Sequence, residues 1–258
     1  MIRSVLYISR LFLSPSFWSP FPSINFKRSV QGIAKVWAFR NALTIQANLG
    51  NKKLRPRPLG NFYEFGTFKG NSLILMGMLK RIYRIFYPEL SNFKLFSFDS
   101  FEGLPDSADE HKGPVWVKGA FCGTLNEVKK NMSSYSLRAK YIKGFYDKSL
   151  TQNLYSDLSN NPPSIIHIDV DLYTSTITVL KWLDKIALPM SIYIFDDVWA
   201  IGAHPNLGET KAINEYNSMD DMRGFLVEHP ISLGSQTIYS FTLKDFSKDP
   251  IYTRNNEL

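Results

Sequence analysis

The chain has 258 residues, of which 44% are hydrophobic and 21% are charged, with a formal net charge of +7. This apolar content is enough for one sizeable core, and neither a low-complexity tract nor an internal repeat interrupts the middle of the chain. The one cysteine, Cys122, excludes an internal disulfide framework and favours a reducing compartment.

The positive charge is concentrated at the amino end. Residues 1–63 contain ten Lys or Arg and no Asp or Glu, whereas the other 195 residues contain 20 basic and 23 acidic side chains, a net charge of −3. Arg10 and three prolines interrupt the apolar runs, which excludes a membrane span and argues against a secretory signal. Contact with anionic lipid, contact with a polyanionic partner, a targeting peptide, and a poorly ordered tail before an accessory helix all stay open.

The first predicted element is a helix over residues 30–49, where apolar side chains recur at helical spacing. The stretch NKKLRPRPLGN follows it and indicates an exposed linker, since its two X-Pro pairs favour extended backbone. We therefore expect a basic amino-terminal extension with an accessory helix at 1–58 and a catalytic domain at 59–258.

Strands and helices alternate from residue 62 onward. The predicted strands are FYEFG, FKLFSFDS, AKYIKGFY, SIIHIDVD and SIYIFDDV, with helices in between, and FLVEHPISLGSQTIYSFTL favours a closing hairpin. This pattern predicts an α/β fold: a Rossmann-like, doubly wound, mainly parallel sheet with a carboxy-terminal antiparallel hairpin and an amino-terminal helical extension. Ligands of such sheets bind beyond the carboxyl ends of the strands.

A glycine-containing loop, YEFGTFKGNS, follows the first predicted strand. Gly66 can adopt a positive φ, and the helix that begins near Gly70 offers free N–H groups to an anionic group. Asp99 ends the second strand, where its carboxylate can accept hydrogen bonds from ribose hydroxyls, which indicates a nucleoside-bearing cofactor. The Gly-x-Gly-x-x-Gly fingerprint of NAD sites is absent. Glu64 favours a ligand with a positive charge. S-adenosylmethionine combines positive groups, one carboxylate and a nucleoside, so it matches all three expectations.

Two aspartate pairs end later strands. Asp169 and Asp171, in IIHIDVDLYTST, are two residues apart, so both can face one site if the strand stays extended, while a turn that already begins at Asp171 stays open. Asp196 and Asp197 end IYIFDDVW. If these strands are neighbours, ~4.8 Å apart, three or four carboxylates converge and need a cation between them. Oxygen ligands favour Mg²⁺ or Mn²⁺ over Zn²⁺.

Four motifs, FDSFEGLP, KGFYDKSL, IIHIDVDLYTST and IFDDVW…GETKAINEY, occur in this order and resemble the macrocin O-methyltransferase (TylF-type) family of class I, metal-dependent sugar O-methyltransferases. The resemblance covers about residues 62–243. It implies Mg²⁺-assisted methyl transfer from S-adenosylmethionine to a hydroxyl of a sugar or glycosylated acceptor. It also implies that Asp169, Asp196 and Asp197 hold the metal and that Asp171 is the general base, with His204 as the rival base or a substrate contact.

The loop chemistry and the resemblance together predict the residues that bind the cofactor. These are Glu64, Gly66, Thr67, Gly70, Asn71, Ser72, Asp99, Ser100, Phe101, Gly144 and Phe145, the last where the family places the adenine. Acceptor specificity is expected in the weakly patterned segments 106–125 and 200–208.

Two other functions stay open at this point. An Asp-x-Asp glycosyltransferase that uses a nucleotide sugar would also need a divalent ion, and a non-catalytic module could use the basic arm for binding. The expected partner is a small-molecule or glycan acceptor, with no specific nucleic acid. Peripheral membrane contact through the basic segment and assembly into a homo-oligomer are both compatible with the sequence. We expect a cytoplasmic location, and association with the membrane surface stays open.

Overall fold

A seven-stranded, mostly parallel sheet organises the part of the chain that the computed structural model describes, residues 30–49, 59–106, 116–199, 203–230 and 236–248. The strands are β1 (Asn61–Phe65), β2 (Leu95–Asp99), β3 (Lys140–Lys143), β4 (Pro163–Ile168), β5 (Ile192–Phe195), β6 (Gly224–Glu228) and β7 (Thr237–Leu243). They lie in the order β3-β2-β1-β4-β5-β7-β6, and only the pairs β5–β7 and β7–β6 among these described strands are antiparallel. The predicted parallel sheet and its closing hairpin are confirmed.

The helices follow the strands as the alternating pattern predicts. They are α1 (Val30–Leu49), α2 (Asn71–Tyr83), α3 (Leu125–Ser134), α4 (Tyr146–Ser149), α5 (Gln152–Leu158), α6 (Tyr173–Ile186) and α7 (Gly208–Ser218). Helix α2 ends at Tyr83, and a turn at residues 84–86 leads to Pro88, which could not continue the helix. Helix α3 begins at Leu125, where the Thr124 hydroxyl caps it by accepting from the Glu127 N–H at 3.2 Å.

Both faces of the sheet are buried against helices. Along β1, Tyr63 and Phe65 belong to one apolar cluster and Phe62 belongs to the other. The same alternation splits β4, where Ile166 and Ile165 face opposite clusters. The near-continuous apolar character of these strands is therefore the consequence of helices on both sides.

Helix α1 is part of this core. Its residues Ala38, Phe39 and Leu43 are fully or almost fully buried in the cluster that contains Phe62, while Ile33 is 55% exposed. The helix that the sequence assigned to an amino-terminal extension thus packs against the sheet that carries the carboxylates. No helix in the described ranges combines the length and apolar character that a bilayer crossing demands.

The strand order reverses between β1 and β4, which brings the carboxyl ends of four strands together. Phe65 of β1 pairs with Phe98 of β2 on one side and with Ile168 of β4 on the other, and Ile168 pairs with Phe195 of β5. The residues that follow these strands therefore meet at one edge of the sheet, where doubly wound folds bind their ligands.

Candidate active site

A cavity of about 1030 Å³ opens at the carboxyl edge of the sheet. Its wall includes seven of the residues that the sequence assigns to cofactor binding, namely Gly66, Thr67, Asn71, Ser72, Asp99, Ser100 and Phe145. It also includes three of the four aspartates, namely Asp169, Asp171 and Asp197. The glycine loop and the carboxylates thus share one continuous space.

The loop after β1 depends on a glycine at position 66. Gly66 has a φ of +82°, and a Cβ there would lie 1.7 Å from the carbonyl oxygen of Asp169. Only glycine lets the ends of β1 and β4 approach this closely. The Oδ2 atom of Asp99 then accepts the N–H groups of Thr67 at 2.7 Å and Phe68 at 3.0 Å, which ties the loop to the end of β2.

Four residues that the sequence assigns to cofactor binding lie behind the cavity wall. Phe101 donates its N–H to Asp99 Oδ1 at 2.6 Å and Gly144 donates to the Asp99 carbonyl at 3.0 Å, so both support Asp99 through the backbone. Gly70, with a φ of +84°, precedes the first residue of α2. Glu64 is fully buried and is not part of the cavity lining, with Oε1 3.3 Å from Nδ1 of His167. Burial raises the pKa of Glu64 to about 8, so this side chain is mostly neutral at pH 7.

A lysine from α1 reaches the carboxylates. The ammonium of Lys35 lies 3.1 Å from Oδ2 of Asp169 and 3.1 Å from Oδ2 of Asp196, and the residue is only 9% exposed. Burial acts to lower the pKa of Lys35, but the two carboxylates outweigh it and hold the pKa above its usual range. Lys35 is therefore a charged group inside the acidic cluster, and the sequence patterns did not identify it.

The pKa values of the two carboxylates that contact Lys35 are shifted in opposite directions. Burial raises the pKa of Asp169 to about 7, and the negative charge of Asp196 adds to this effect. Asp196 is also buried, but the Lys35 ammonium outweighs burial and holds its pKa below the usual value. Gln236 donates its side-chain N–H to Oδ1 of Asp196. Asp196 is thus held by two donors behind the cavity wall, while Asp169 faces the cavity.

Asp197 forms a second acidic pair with Glu209, the second residue of α7. The Asp197 N–H donates to Oε2 of Glu209 at 3.0 Å, and Oδ2 of Asp197 is buried without a hydrogen-bond partner among the described residues. Burial and the neighbouring carboxylates raise the pKa values of both side chains well above the usual range. A buried carboxylate oxygen without a donor is unfavourable, and a bound cation would compensate for the missing hydrogen bond.

The donor atoms suit a hard cation. Within the described residues, ligand atoms of His167, Asp169 and Asp196 lie within 4.8 Å of one another, a group that contains two of the three predicted metal ligands. Asp197 is outside this close group but lines the same cavity. Burial lowers the pKa of His167 well below its usual range, so the imidazole is neutral, and it packs edge-on against Phe39 at 5.0 Å. The carboxylate oxygens match the preference of Mg²⁺ or Mn²⁺.

Asp171 lies at the turn that follows β4. Its φ is +59°, so the chain has left the strand, yet the side chain still lines the cavity beside Asp169. Oδ1 of Asp171 accepts a hydrogen bond from the indole Nε1 of Trp116 at 3.0 Å. Trp116 belongs to segment 106–125, where acceptor recognition is expected. The predicted base therefore has a fixed orientation at the cavity wall.

His204, the rival base, lies elsewhere. Its side chain is exposed, its Nδ1 accepts the Asn206 N–H at 3.2 Å, and it is not among the residues that line the cavity. Of the two candidate bases, the structure brings only Asp171 to Asp169.

Comparisons with known proteins agree with this architecture. Residues 54–226, more than half of the chain, match the family model for macrocin O-methyltransferase (TylF). A search among curated proteins finds no significant match.

Similar solved structures include the O-methyltransferase NovP, with a TM-score of 0.60 and 20% identity over 82% of this chain and 81% of that chain. The calicheamicin methyltransferase CalS11 has a TM-score of 0.62 and 17% identity over 93% of this chain and 85% of that chain. An apo structure of CalS11, there described as a TDP-rhamnose 3'-O-methyltransferase, has a TM-score of 0.53 and 16% identity over 81% of this chain and 79% of that chain. At these identities the likeness shows a shared fold.

Proposed function

Because the chain belongs to the macrocin O-methyltransferase (TylF) family, we propose that it transfers a methyl group from S-adenosylmethionine to a hydroxyl of a sugar or a glycosylated acceptor. The observation that supports this proposal is the single continuous space in which the glycine loop faces Asp169, Asp171 and Asp197. TDP-rhamnose, the acceptor named for the structural relative CalS11, supports a sugar acceptor here as well. Family membership favours methyl transfer over the Asp-x-Asp glycosyltransferase alternative.

The cofactor is expected in the part of the cavity between the glycine loop and Phe145. S-adenosylmethionine supplies an electrophilic methyl group on a sulfonium centre. Asn71 and Ser72, at the first turn of α2, offer N–H groups to its carboxylate. The Asp99 carboxylate, which three backbone N–H groups orient, is set to accept from the ribose hydroxyls, and the Phe145 ring offers a surface to the adenine.

Asp171 is proposed to take the proton of the acceptor hydroxyl. A sugar hydroxyl is a weak nucleophile while it is protonated, and a carboxylate within hydrogen-bond reach removes the proton as the new bond to carbon forms. Trp116 is a positioning residue in this scheme, because its indole N–H donates to Oδ1 of Asp171 and orients the carboxylate at the cavity wall. The other contribution of the protein to the rate of methyl transfer is to align the acceptor oxygen with the methyl group of the cofactor.

The Trp116→Phe variant tests this positioning. Loss of one hydrogen bond to the base is expected to lower kcat about threefold to tenfold and to leave the affinity for S-adenosylmethionine unchanged. Steady-state kinetics and calorimetry would measure both. Trp199→Phe is the matched control, since Trp199 is 56% exposed and does not line the cavity. Equal kinetics for Trp116→Phe and the wild type would contradict the positioning role.

A divalent ion is proposed at the acidic cluster. Asp169 and Asp197 would hold it from the cavity wall, with Asp196 behind Asp169. When bound, Mg²⁺ or Mn²⁺ would lower the pKa of a hydroxyl that it contacts. The carboxylates of this chain provide the negative charge and the oxygen donors that such an ion prefers.

Methyl transfer from labelled S-adenosylmethionine to a panel of glycosides, with and without EDTA, tests both parts of the proposal. We expect EDTA to abolish transfer and added Mg²⁺ or Mn²⁺ to restore it, while calorimetry still detects S-adenosylmethionine binding in EDTA. Full activity in EDTA would refute the metal role and leave methyl transfer intact. Binding of a nucleotide sugar without binding of S-adenosylmethionine would instead favour the glycosyltransferase.

A further inference from the structure

A groove lined by positive charge lies at the amino ends of β2 and β3, at the opposite end of the sheet from the active-site cavity. Its volume is about 680 Å³. Six Lys or Arg residues line it and no Asp or Glu does; they are Lys80, Arg81, Arg84, Lys94, Arg138 and Lys140. We call this feature the basic groove. Residues 64–258, which include the basic groove, contain 20 basic and 23 acidic side chains, a net charge of −3. The basic groove is therefore a local concentration of positive charge in a region that is negative as a whole.

The hydrogen bonds of these cations in the described residues go to uncharged acceptors. Arg81 donates to the carbonyl groups of Tyr135 and Ser136, both at 2.9 Å, and Lys94 donates to Oδ1 of Asn161 at 2.8 Å. None of the six takes part in an ion pair within the described residues. Burial and the charge of Arg84 both lower the pKa of Lys80, which reflects like charges crowded together. Such a cluster favours an anionic ligand.

Apolar side chains project from the loop that continues the groove. Ile85 and Phe86 directly follow Arg84 and are 74% and 48% exposed. The rings of Tyr83 and Tyr87 stack at 6.3 Å on either side of them, which holds this loop in shape. Exposed apolar groups beside unpaired cations are the combination that inserts into the headgroup region of an anionic membrane.

We propose that the basic groove and the loop at Ile85 and Phe86 form a docking surface for a bilayer that contains anionic lipid. The cations would contact lipid phosphates, and the two apolar side chains would enter the interface. A polynucleotide would use the cations but would gain nothing from an exposed isoleucine, since bases stack on aromatic or guanidinium planes. This docking would turn the active-site cavity away from the bilayer, and it does not depend on the proposed chemistry.

Vesicle sedimentation of the full chain tests the proposal, with phosphatidylcholine vesicles compared with phosphatidylcholine–phosphatidylglycerol vesicles. We expect binding only to the anionic vesicles, with a tenfold or greater loss of affinity in the double variant Arg84→Gln/Arg138→Gln. Both arginines are exposed, so the variant should fold normally. Ile85→Ser/Phe86→Ser is expected to weaken the binding that remains at high salt. The control Lys181→Gln/Lys185→Gln removes the same charge from exposed positions on α6 and should bind as the wild type does.

Other outcomes would overturn the proposal. Unchanged binding of Arg84→Gln/Arg138→Gln would assign the membrane contact to another part of the chain, such as the basic residues 1–29. If the control Lys181→Gln/Lys185→Gln lost as much affinity for anionic vesicles as Arg84→Gln/Arg138→Gln, the binding would depend on the net charge of the protein and not on the basic groove. Binding of an RNA oligonucleotide or inorganic phosphate without binding of vesicles would assign the groove to another ligand. Methyl transfer to a soluble acceptor, measured in parallel, should be the same in all these variants, which separates this test from that of the proposed activity.

Discussion

Replacing Asp171 by Asn is expected to lower kcat for methyl transfer by about 10²- to 10⁴-fold, the usual contribution of a positioned general base. The substitution keeps the size of the side chain and its acceptor oxygen for Trp116, whose indole N–H lies 3.0 Å from Oδ1. It removes the group that accepts the proton from the acceptor hydroxyl. Single-turnover rates with a glycoside acceptor would measure the effect, and calorimetry should show unchanged affinity for S-adenosylmethionine.

Asp169→Asn is the matched comparison for this prediction. Asp169 lies two residues earlier, faces the same cavity and contacts Lys35, so its replacement should weaken divalent-ion binding as well as turnover. Asp171→Asn should leave ion binding within about twofold, because Asp171 lies outside the close donor group of His167, Asp169 and Asp196. If Asp171→Asn retains its activity but loses the ion, the two aspartates have the opposite roles.

Replacing Lys35 by Met is expected to destabilise the metal-free protein by about 3 kcal/mol, because it leaves two partly buried carboxylates without their counter-charge. The side chains of Asp169 and Asp196 are only 27% and 21% exposed, so water replaces little of the lost interaction. The same change should raise the affinity for Mn²⁺ tenfold or more, since an ammonium that lies 3.1 Å from both oxygens competes with a divalent ion for them. The ion should therefore restore much of the lost stability.

Urea denaturation with EDTA or with Mn²⁺, together with Mn²⁺ titration followed by electron paramagnetic resonance, would measure both effects of Lys35→Met. Lys181→Met is the control, because Lys181 is exposed on α6 and takes part in no ion pair of the described residues. Unchanged or weaker Mn²⁺ binding in Lys35→Met would mean that the lysine assists the metal site rather than competing for it. These binding measurements do not require the methyl acceptor to be known.

The amino-acid sequence by itself determined the fold and the edge of the sheet where the site lies. Alternating strands and helices, apolar strands with two buried faces, and the glycine loop are local patterns of a few residues each. The aspartates after β4 and β5 could be placed together because parallel strands bring their carboxyl ends to one edge. The register of Ile168 with Phe195 makes those two strands neighbours, as the carboxylate argument required.

Only the tertiary structure decided which side chains face the cavity and which charges compensate one another. The sequence predicts that Glu64 faces a cationic ligand, and the structure buries its side chain beside His167. Lys35 is 134 and 161 residues away from the carboxylates that it contacts, so no local pattern could connect them. Its role depends on the packing of α1 against the sheet. Charge compensation in a folded protein depends on distances of a few ångströms between segments that are remote in sequence, and periodicity along the chain carries no information about them.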